Sequence, residues 1–352
     1  MAIGSVVVVL ILAGSAQLIT ASPERRGSPT FRQVQQQTQP IKSRAGEVIV
    51  PVTVTNGDGE LILDLSQSDF RIFDNGVEQQ IEHFDLGGAR ASIVLVVGTG
   101  SQAQGLLPGV RKSGSVFADV VMTSTNEAAV IGFDNMIEVI EQLTADQDVV
   151  QKSITGLQPG VVGAKLFDAM SRAVSLLDNQ PPEARRVIIV VAEAQDRGSK
   201  ATLAEVVWHA DLANVTIYSI ALSTFLAKLR APLPEFPPPL LSPPGPYPYP
   251  MAPSFSAHLM DLSSVAEWVK AARFNVLAAA SQWTGGSFMN TPDDAAVEQA
   301  MDKIGGELSC QYTLGFRASA NGTPGYHKIR VQVNRPGDIV RTRPGYYLAP
   351  AT

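Results

Sequence analysis

Cysteine is almost missing from this chain. Cys310 is the only one in 352 residues, which excludes a disulfide framework and a Cys-based zinc site. Histidine is nearly as scarce, with four scattered residues, so a His-rich metal centre is excluded as well. No basic run stands out, and 27 Lys and Arg against 33 Asp and Glu leave a net charge of −6. Nucleic acid is therefore not the expected partner. Charged residues make up only 17% and hydrophobic ones 45%. That balance excludes a wholly disordered chain and suffices for a real core. The length suits two domains, one large and one small.

No apolar run reaches the length of about 20 residues that a membrane-spanning helix needs. Residues 5–13 form an apolar run of signal-peptide length, followed by small residues at Gly14-Ser15-Ala16 and Ile19-Thr20-Ala21. Export with cleavage near Ala16 or Ala21 is the expectation. No Lys or Arg precedes the run, so either the amino terminus supplies the positive charge or the true start lies elsewhere; Leu18 and Ile19 extend the apolar stretch, so the alternative is an uncleaved anchor in the inner membrane. A lone cysteine suits an exported chain that avoids stray thiol pairing. Residues 22–44, polar and rich in Gln, read as a flexible linker.

Residues 45–87 read as an antiparallel β module. Residues 46–55 are rich in Val, Ile and Thr, and Asn56-Gly57-Asp58-Gly59 favours a tight turn. Leu61, Leu63 and Leu65 alternate as in a half-buried strand. Phe70–Phe73, closed by Asp74-Asn75-Gly76, and Gln79–Phe84 supply further strands. So short a module cannot bury its own core, and strands from elsewhere are needed. The C-terminal segment 319–350, with Ile329, Val331 and Val333 alternating inward, plausibly completes it.

From residue 92 the pattern changes. Residues 92–97 form a continuous apolar run, and 186–192 and 215–222 are largely apolar, as in strands buried on both faces. Residues 128–133 and 137–143 read as strands, and 113–124, 146–157, 166–177 and 203–213 as helices. A helix over 264–283, a strand at 287–289, a helix over 293–304 and a strand over 310–316 follow. This alternation predicts an α/β domain over 88–318 with a mostly parallel sheet and helices on both faces. Residues 231–253 interrupt it with eleven of the 24 prolines. They read as an exposed, polyproline-like insertion, a plain spacer before a recognition motif.

Several short motifs recur in a family-like order: Ser68-Asp69-Phe70 with Asp74-Asn75-Gly76, Gly163-Ala164-Lys165-Leu166-Phe167-Asp168-Ala169, Asp196-Arg197-Gly198-Ser199, Thr284-Gly285-Gly286, Tyr312-Thr313-Leu314-Gly315-Phe316, His327-Lys328-Ile329-Arg330-Val331 and Arg343-Pro344-Gly345-Tyr346-Tyr347. With the buried strand at 92–97, their order and spacing resemble the von Willebrand factor A-related proteins abundant among secreted proteins of Acidobacteria. The resemblance covers residues 45–350. It implies a Rossmann-like A-type domain beside a small β-sandwich-like module.

Relatives bind a divalent ion at the carboxyl end of the sheet through Asp-x-Ser-x-Ser, a Thr from a second loop and an Asp from a third. On this chain the matching positions read Gly98, Gly100 and Gln102, then Ala164, then Glu193. Hard cations need several oxygen ligands, and one carboxylate does not hold Mg²⁺ against water. Thr99 and Ser101 are shifted by one residue and should point away. A degenerate, metal-free site is the expectation, and no cofactor is implied.

Other candidates are weaker. Gly98, Gly100 and Ala103 match a loose Gly-x-Gly-x-x-Ala dinucleotide fingerprint, which needs a helix to begin at once. Gly105, Pro108 and Gly109 should keep the chain in a loop for about ten more residues, so the fingerprint reads as a degenerate loop. His209, beside Trp208, should sit near the buried face of its helix. Cys310 reads as a small core residue at a strand start, and Arg185 and Arg186 as a charged strand edge. No base lies in a recognisable motif with a nucleophile.

The expectation is thus a non-catalytic, exported adaptor or scaffold, periplasmic or extracellular, that binds a protein of the cell envelope. Its candidate binding residues are Gly98, Thr99, Gly100, Ser101, Gln102, Gly163, Ala164, Glu193 and Asp196, on loops at the carboxyl end of the sheet. The alternatives are an envelope hydrolase with an unfamiliar site, and an inert spacer.

Overall fold

Three buried strands organise the centre of the molecule. In the computed structural model the elements run β1 (Glu47–Thr55), β2 (Phe70–Asp74), β3 (Val77–Gln79), β4 (His83–Leu86), β5 (Ala91–Gly98), α1 (Leu107–Val116), β6 (Glu127–Phe133), β7 (Ile137–Thr144), α2 (Gln147–Thr155) and α3 (Leu166–Asp178). They continue with β8 (Arg185–Ala192), α4 (Leu203–Leu212), β9 (Val215–Leu222), α5 (Val276–Thr284), β10 (Phe288–Thr291), α6 (Asp294–Cys310), β11 (Tyr312–Arg317), β12 (Gly325–Val333), β13 (Ile339–Thr342) and β14 (Gly345–Leu348). The structure describes residues 47–87, 90–101, 103, 105, 107–181, 184–222, 275–318 and 325–348. The N-terminal apolar run, the linker at 22–44 and the Pro-rich insertion lie outside them. The chain divides into Met1–Gln39 and Pro40–Thr352, and all described residues belong to the second unit.

The central sheet has the order β10-β9-β8-β5-β6-β7. Every neighbouring pair is parallel except β6 and β7. Side chains alternate across such a strand, so one apolar run feeds two cores. Val94 and Val96 of β5 face Leu166, Met170 and Leu177 of α3, with Val206 and Val207 of α4. Ile93, Leu95 and Val97 face Val110 of α1, Ile154 of α2 and Met301 of α6. Helices thus cover both faces. This is the doubly wound, A-type α/β architecture, with a switch point between β5 and β8.

Two four-stranded antiparallel sheets, β13-β1-β11-β4 and β14-β12-β2-β3, form the second part. They enclose a core of Val50, Val52, Phe70, Ile72, Tyr312, Leu314, Phe316 and Ile329. The result is a β-sandwich-like module drawn from both ends of the described chain.

Several local expectations change. Helix α1 begins at Leu107 and continues into a π-helical turn, Phe117–Val121. Pro108 falls in its first turn, where a missing N–H is harmless. Leu61, Leu63 and Leu65 do not form a strand; only an isolated bridge joins Leu61 to Thr55, and Leu63 is 43% exposed. Helix α6 extends to Cys310, which is half-buried at the helix end. Strand β11, placed by the sequence pattern at the end of the α/β region, pairs with β1 and β4. His209 is exposed on α4 while Trp208 is buried. Arg185 is buried rather than at a charged edge, and donates to the Leu308 carbonyl at 2.7 Å and to Gln311. Burial pushes its guanidinium pKa down.

Candidate functional site

The carboxyl ends of β5 and β8 open at the switch point, where doubly wound sheets usually take ligands. Three loops meet there: the turn after β5, residues 157–165 before α3, and residues 193–200 after β8. Backbone hydrogen bonds fix the first two together. The Thr99 N–H and hydroxyl both donate to the Phe133 carbonyl, at 2.8 and 3.1 Å. The Ser101 N–H donates to Val161 O at 3.2 Å, and the Gly160 N–H to Thr99 O at 2.8 Å. The third loop joins through an antiparallel bridge between Ala164 and Arg197, whose N–H donates to Ala164 O at 2.7 Å.

Glycine is required at the contact of the first two loops. A Cβ on Gly100 would lie 2.5 Å from the Gly163 carbonyl oxygen. Gly163 itself has φ +142°, and a Cβ there would stand 2.6 Å from Cβ of Asn135. Both positions need a bare backbone.

Carboxylates brace this platform from below. Asp134 accepts from the Met136 N–H at 2.7 Å through Oδ1 and from the Val161 N–H at 2.8 Å through Oδ2. Asp196 accepts from the Phe167 N–H at 3.1 Å and from the Ser199 hydroxyl at 2.6 Å, both through Oδ1. Asp168 accepts from the Lys200 and Ala201 N–H groups at 3.0 and 2.8 Å through Oδ1. Each replaces a hydrogen bond that a tight loop cannot make with its own backbone. Glu193 is half-buried. Burial raises its pKa above the usual carboxylate value, and the nearby Arg197 charge partly opposes the rise.

The structure thus brings Gly98, Thr99, Gly100, Ser101, Gly163 and Ala164 together, and ties in Asp196 and Arg197. Gln102 lies outside the described residues. Asp196 braces α3 rather than facing outward. Asp134, Met136, Val161 and Val162 were missed. Asp134 follows a strand and precedes Asn135, an ordinary turn signal, and nothing in the sequence separates it from any other turn carboxylate.

The residues present do not fit the divalent ion that the resemblance brings to this place. Gly98, Gly100 and Ala164 carry no side-chain oxygen, and the Thr99 hydroxyl is turned to Phe133 O. Among the described residues, no group of three or more His, Cys, Asp or Glu side chains is placed to share an ion. A dinucleotide phosphate fits no better. The N–H groups of Thr99 and Ser101, which would cradle it, are already bound to Phe133 and Val161 carbonyls.

No family model and no curated protein matches the chain. Among solved structures, BatB from Bacteroides thetaiotaomicron is similar at 12% identity and a TM-score of 0.40, over 61% of this chain and 98% of its own. A von Willebrand factor type A protein from Catenulispora acidiphila is similar at 10% identity and a TM-score of 0.43, over 80% of this chain and 74% of its own. The SpRpn10 VWA domain is similar at 10% identity and a TM-score of 0.39, over 60% and 94%. The strand order of the central sheet, rather than these distant likenesses, defines the fold.

Proposed function

We propose that this chain is a non-catalytic, exported protein-binding domain of the cell envelope, and that it engages its partner without a metal ion. The binding face is the carboxyl end of the central sheet. One observation carries the reading: three loops converge at the switch point and are locked into a shared platform by backbone bonds and inward-turned carboxylates. A platform so fixed suits recognition, because little ordering entropy is lost on binding. The hydroxyls of Thr99 and Ser199 are bound to a carbonyl and a carboxylate, with no histidine among their partners. That favours binding over nucleophilic chemistry.

Site-specific photo-crosslinking tests the reading. Crosslinkers at Ser101 and Arg197 of the full chain should capture a discrete envelope protein. A crosslinker at the exposed Val77 of the β module should not. Capture that survives charge substitutions across the platform but is lost on deleting residues 231–253 would move the function to the insertion. Turnover in a broad hydrolase screen, abolished by one substitution, would make the chain an enzyme instead.

A further inference from the structure

The rim of this platform carries an apolar patch. Met136 and Val162 are each 73% exposed, and Val161 is 58% exposed. Exposed apolar side chains scattered singly need no explanation, but a contiguous group at a loop cluster marks an interaction site. These three are held together by one residue. Asp134 accepts the Met136 N–H with one carboxylate oxygen and the Val161 N–H with the other. The Lys165 N–H closes the same turn by donating to the Asp134 carbonyl at 2.8 Å.

The carboxylates of Asp134, Asp168 and Asp196 turn inward onto backbone N–H groups, and their accepting capacity is largely used. The cationic side chains on the same loops are Lys165, Arg197 and Lys200. Arg197 is exposed, meets the Gln195 side chain at 2.6 Å, and lies beside Ala164 through the backbone bridge. Glu193 sits half-buried within range of its charge. Cationic side chains and exposed aliphatic ones thus stand on the same loops, Arg197 bridged to Ala164 and Lys165 tied to Asp134 through the backbone.

We infer that this face binds an exposed protein segment in which an aliphatic side chain stands next to a carboxylate. The aliphatic group packs on Met136, Val161 and Val162, and the carboxylate takes the donors of Arg197 and Lys165. A guanidinium meets a carboxylate through two parallel N–H bonds, which fixes direction as well as charge. The inference rests on the protein-binding reading and specifies the partner's chemistry.

Selection of a random peptide display library on the full chain tests it. The enriched peptides should carry Asp or Glu beside Leu, Ile or Val. Their affinity should fall about tenfold or more in R197E, because like charges across an interface are strongly unfavourable. It should fall similarly in the double variant M136S/V162S and stay unchanged in V77S. These substitutions are at exposed positions and leave the core intact. Enrichment of basic or wholly polar peptides, or of none, would overturn the inference, as would binding indifferent to these variants. So would sedimentation with phosphatidylglycerol vesicles that the same variants abolish, since the patch would then be a membrane contact. If crosslinks at Ser101 and Arg197 persist while R197E and M136S/V162S change nothing, only this inference falls. Loss of face-specific crosslinking removes both.

Discussion

The hydroxyl of Thr53 donates to Oε1 of Glu307 across 3.0 Å, joining β1 to α6 over 254 positions of sequence. The same oxygen accepts from the Tyr218 hydroxyl at 2.8 Å, and the other pairs with Arg341 of β13. The Gln311 amide donates to Thr53 Oγ1 at 3.0 Å. One buried carboxylate thereby links the central sheet, its last helix and the β module. Replacing Glu307 with Ala leaves Arg341 without its counter-charge and should cost about 3 kcal/mol. Thr53→Val removes one hydrogen bond and should cost about 1 kcal/mol. Denaturant unfolding at neutral pH measures both, and equal losses would mean that the ionic part is idle.

A second buried pair, Asp211 of α4 with Arg343, anchors the segment before β14. Arg343 also donates to Gly345 O at 2.6 Å and to Asn214. Asp211→Ala should destabilise the fold by about 3–5 kcal/mol, and replacing both partners with apolar residues should recover much of the loss. A double-mutant cycle by thermal unfolding checks this. An additive result would show that the two side chains do not act as a pair.

The central strands were legible because a strand buried on both faces is largely apolar, as residues 93–97 are throughout and 215–222 are but for Thr216 and Ser219. Other elements were not. Leu61, Leu63 and Leu65 carry a strand's alternation, but a strand exists only beside a partner, and none runs along them. Pro108 reads as a breaker in isolation and is harmless in a helix's first turn. His209 was expected near the buried face of α4 and is exposed instead, because adjacent helical residues differ by about 100° in direction and its neighbour Trp208 takes the buried side. At the site, the loops at the carboxyl ends of β5 and β8 were legible from where the apolar strands end. The contact between Gly100 and Gly163 could not be read, since it depends on two loops meeting. Met136, Val161 and Val162 give no signal singly, because the patch exists only once Asp134 has gathered them.

That glycine contact leaves no room for a side chain at the centre of the first loop. Gly100→Ser places a Cβ 2.5 Å from the Gly163 carbonyl oxygen and should destabilise the chain by about 1–3 kcal/mol. Gly163→Ala forces an alanine to φ +142° at a similar cost of about 1–3 kcal/mol. Gly98→Ala should be milder, since the nearest atom to a Cβ there is 3.3 Å away. Melting temperatures should fall most in Gly100→Ser and Gly163→Ala and least in Gly98→Ala.

Magnesium and manganese should leave the melting temperature of the wild-type chain unchanged. An ion present at a hundred times its dissociation constant adds about 2.7 kcal/mol to stability, which a thermal scan against an EDTA control detects readily. Such a gain would return the five degenerate positions to service, beginning with Glu193.

Glu193 should also make stability depend on pH. Its pKa is raised in the folded chain, so the native state holds the proton more tightly than the unfolded state does. Its contribution is present at pH values below the ordinary carboxylate range and is lost as pH rises through the elevated native value. Glu193→Gln mimics the protonated form. Unfolding scans should find wild type and variant matched near pH 4 and the variant more stable near pH 8. A gap that widens toward acid would reverse the sign and remove burial as the cause.

The interleaving of β1 with β11 and β13 has a consequence for how the molecule is made. Thr342 donates to the carbonyl of Pro51, a neighbour 291 positions earlier in the chain. During synthesis, Val50, Val52 and Val54 emerge early and wait for strands translated near the end. Pairing between segments so distant in sequence closes slowly, so the sandwich should be the last region to form. A stop codon or protease nick just beyond α6 would be felt first at the opposite terminus, where a row of valines would lose its cover.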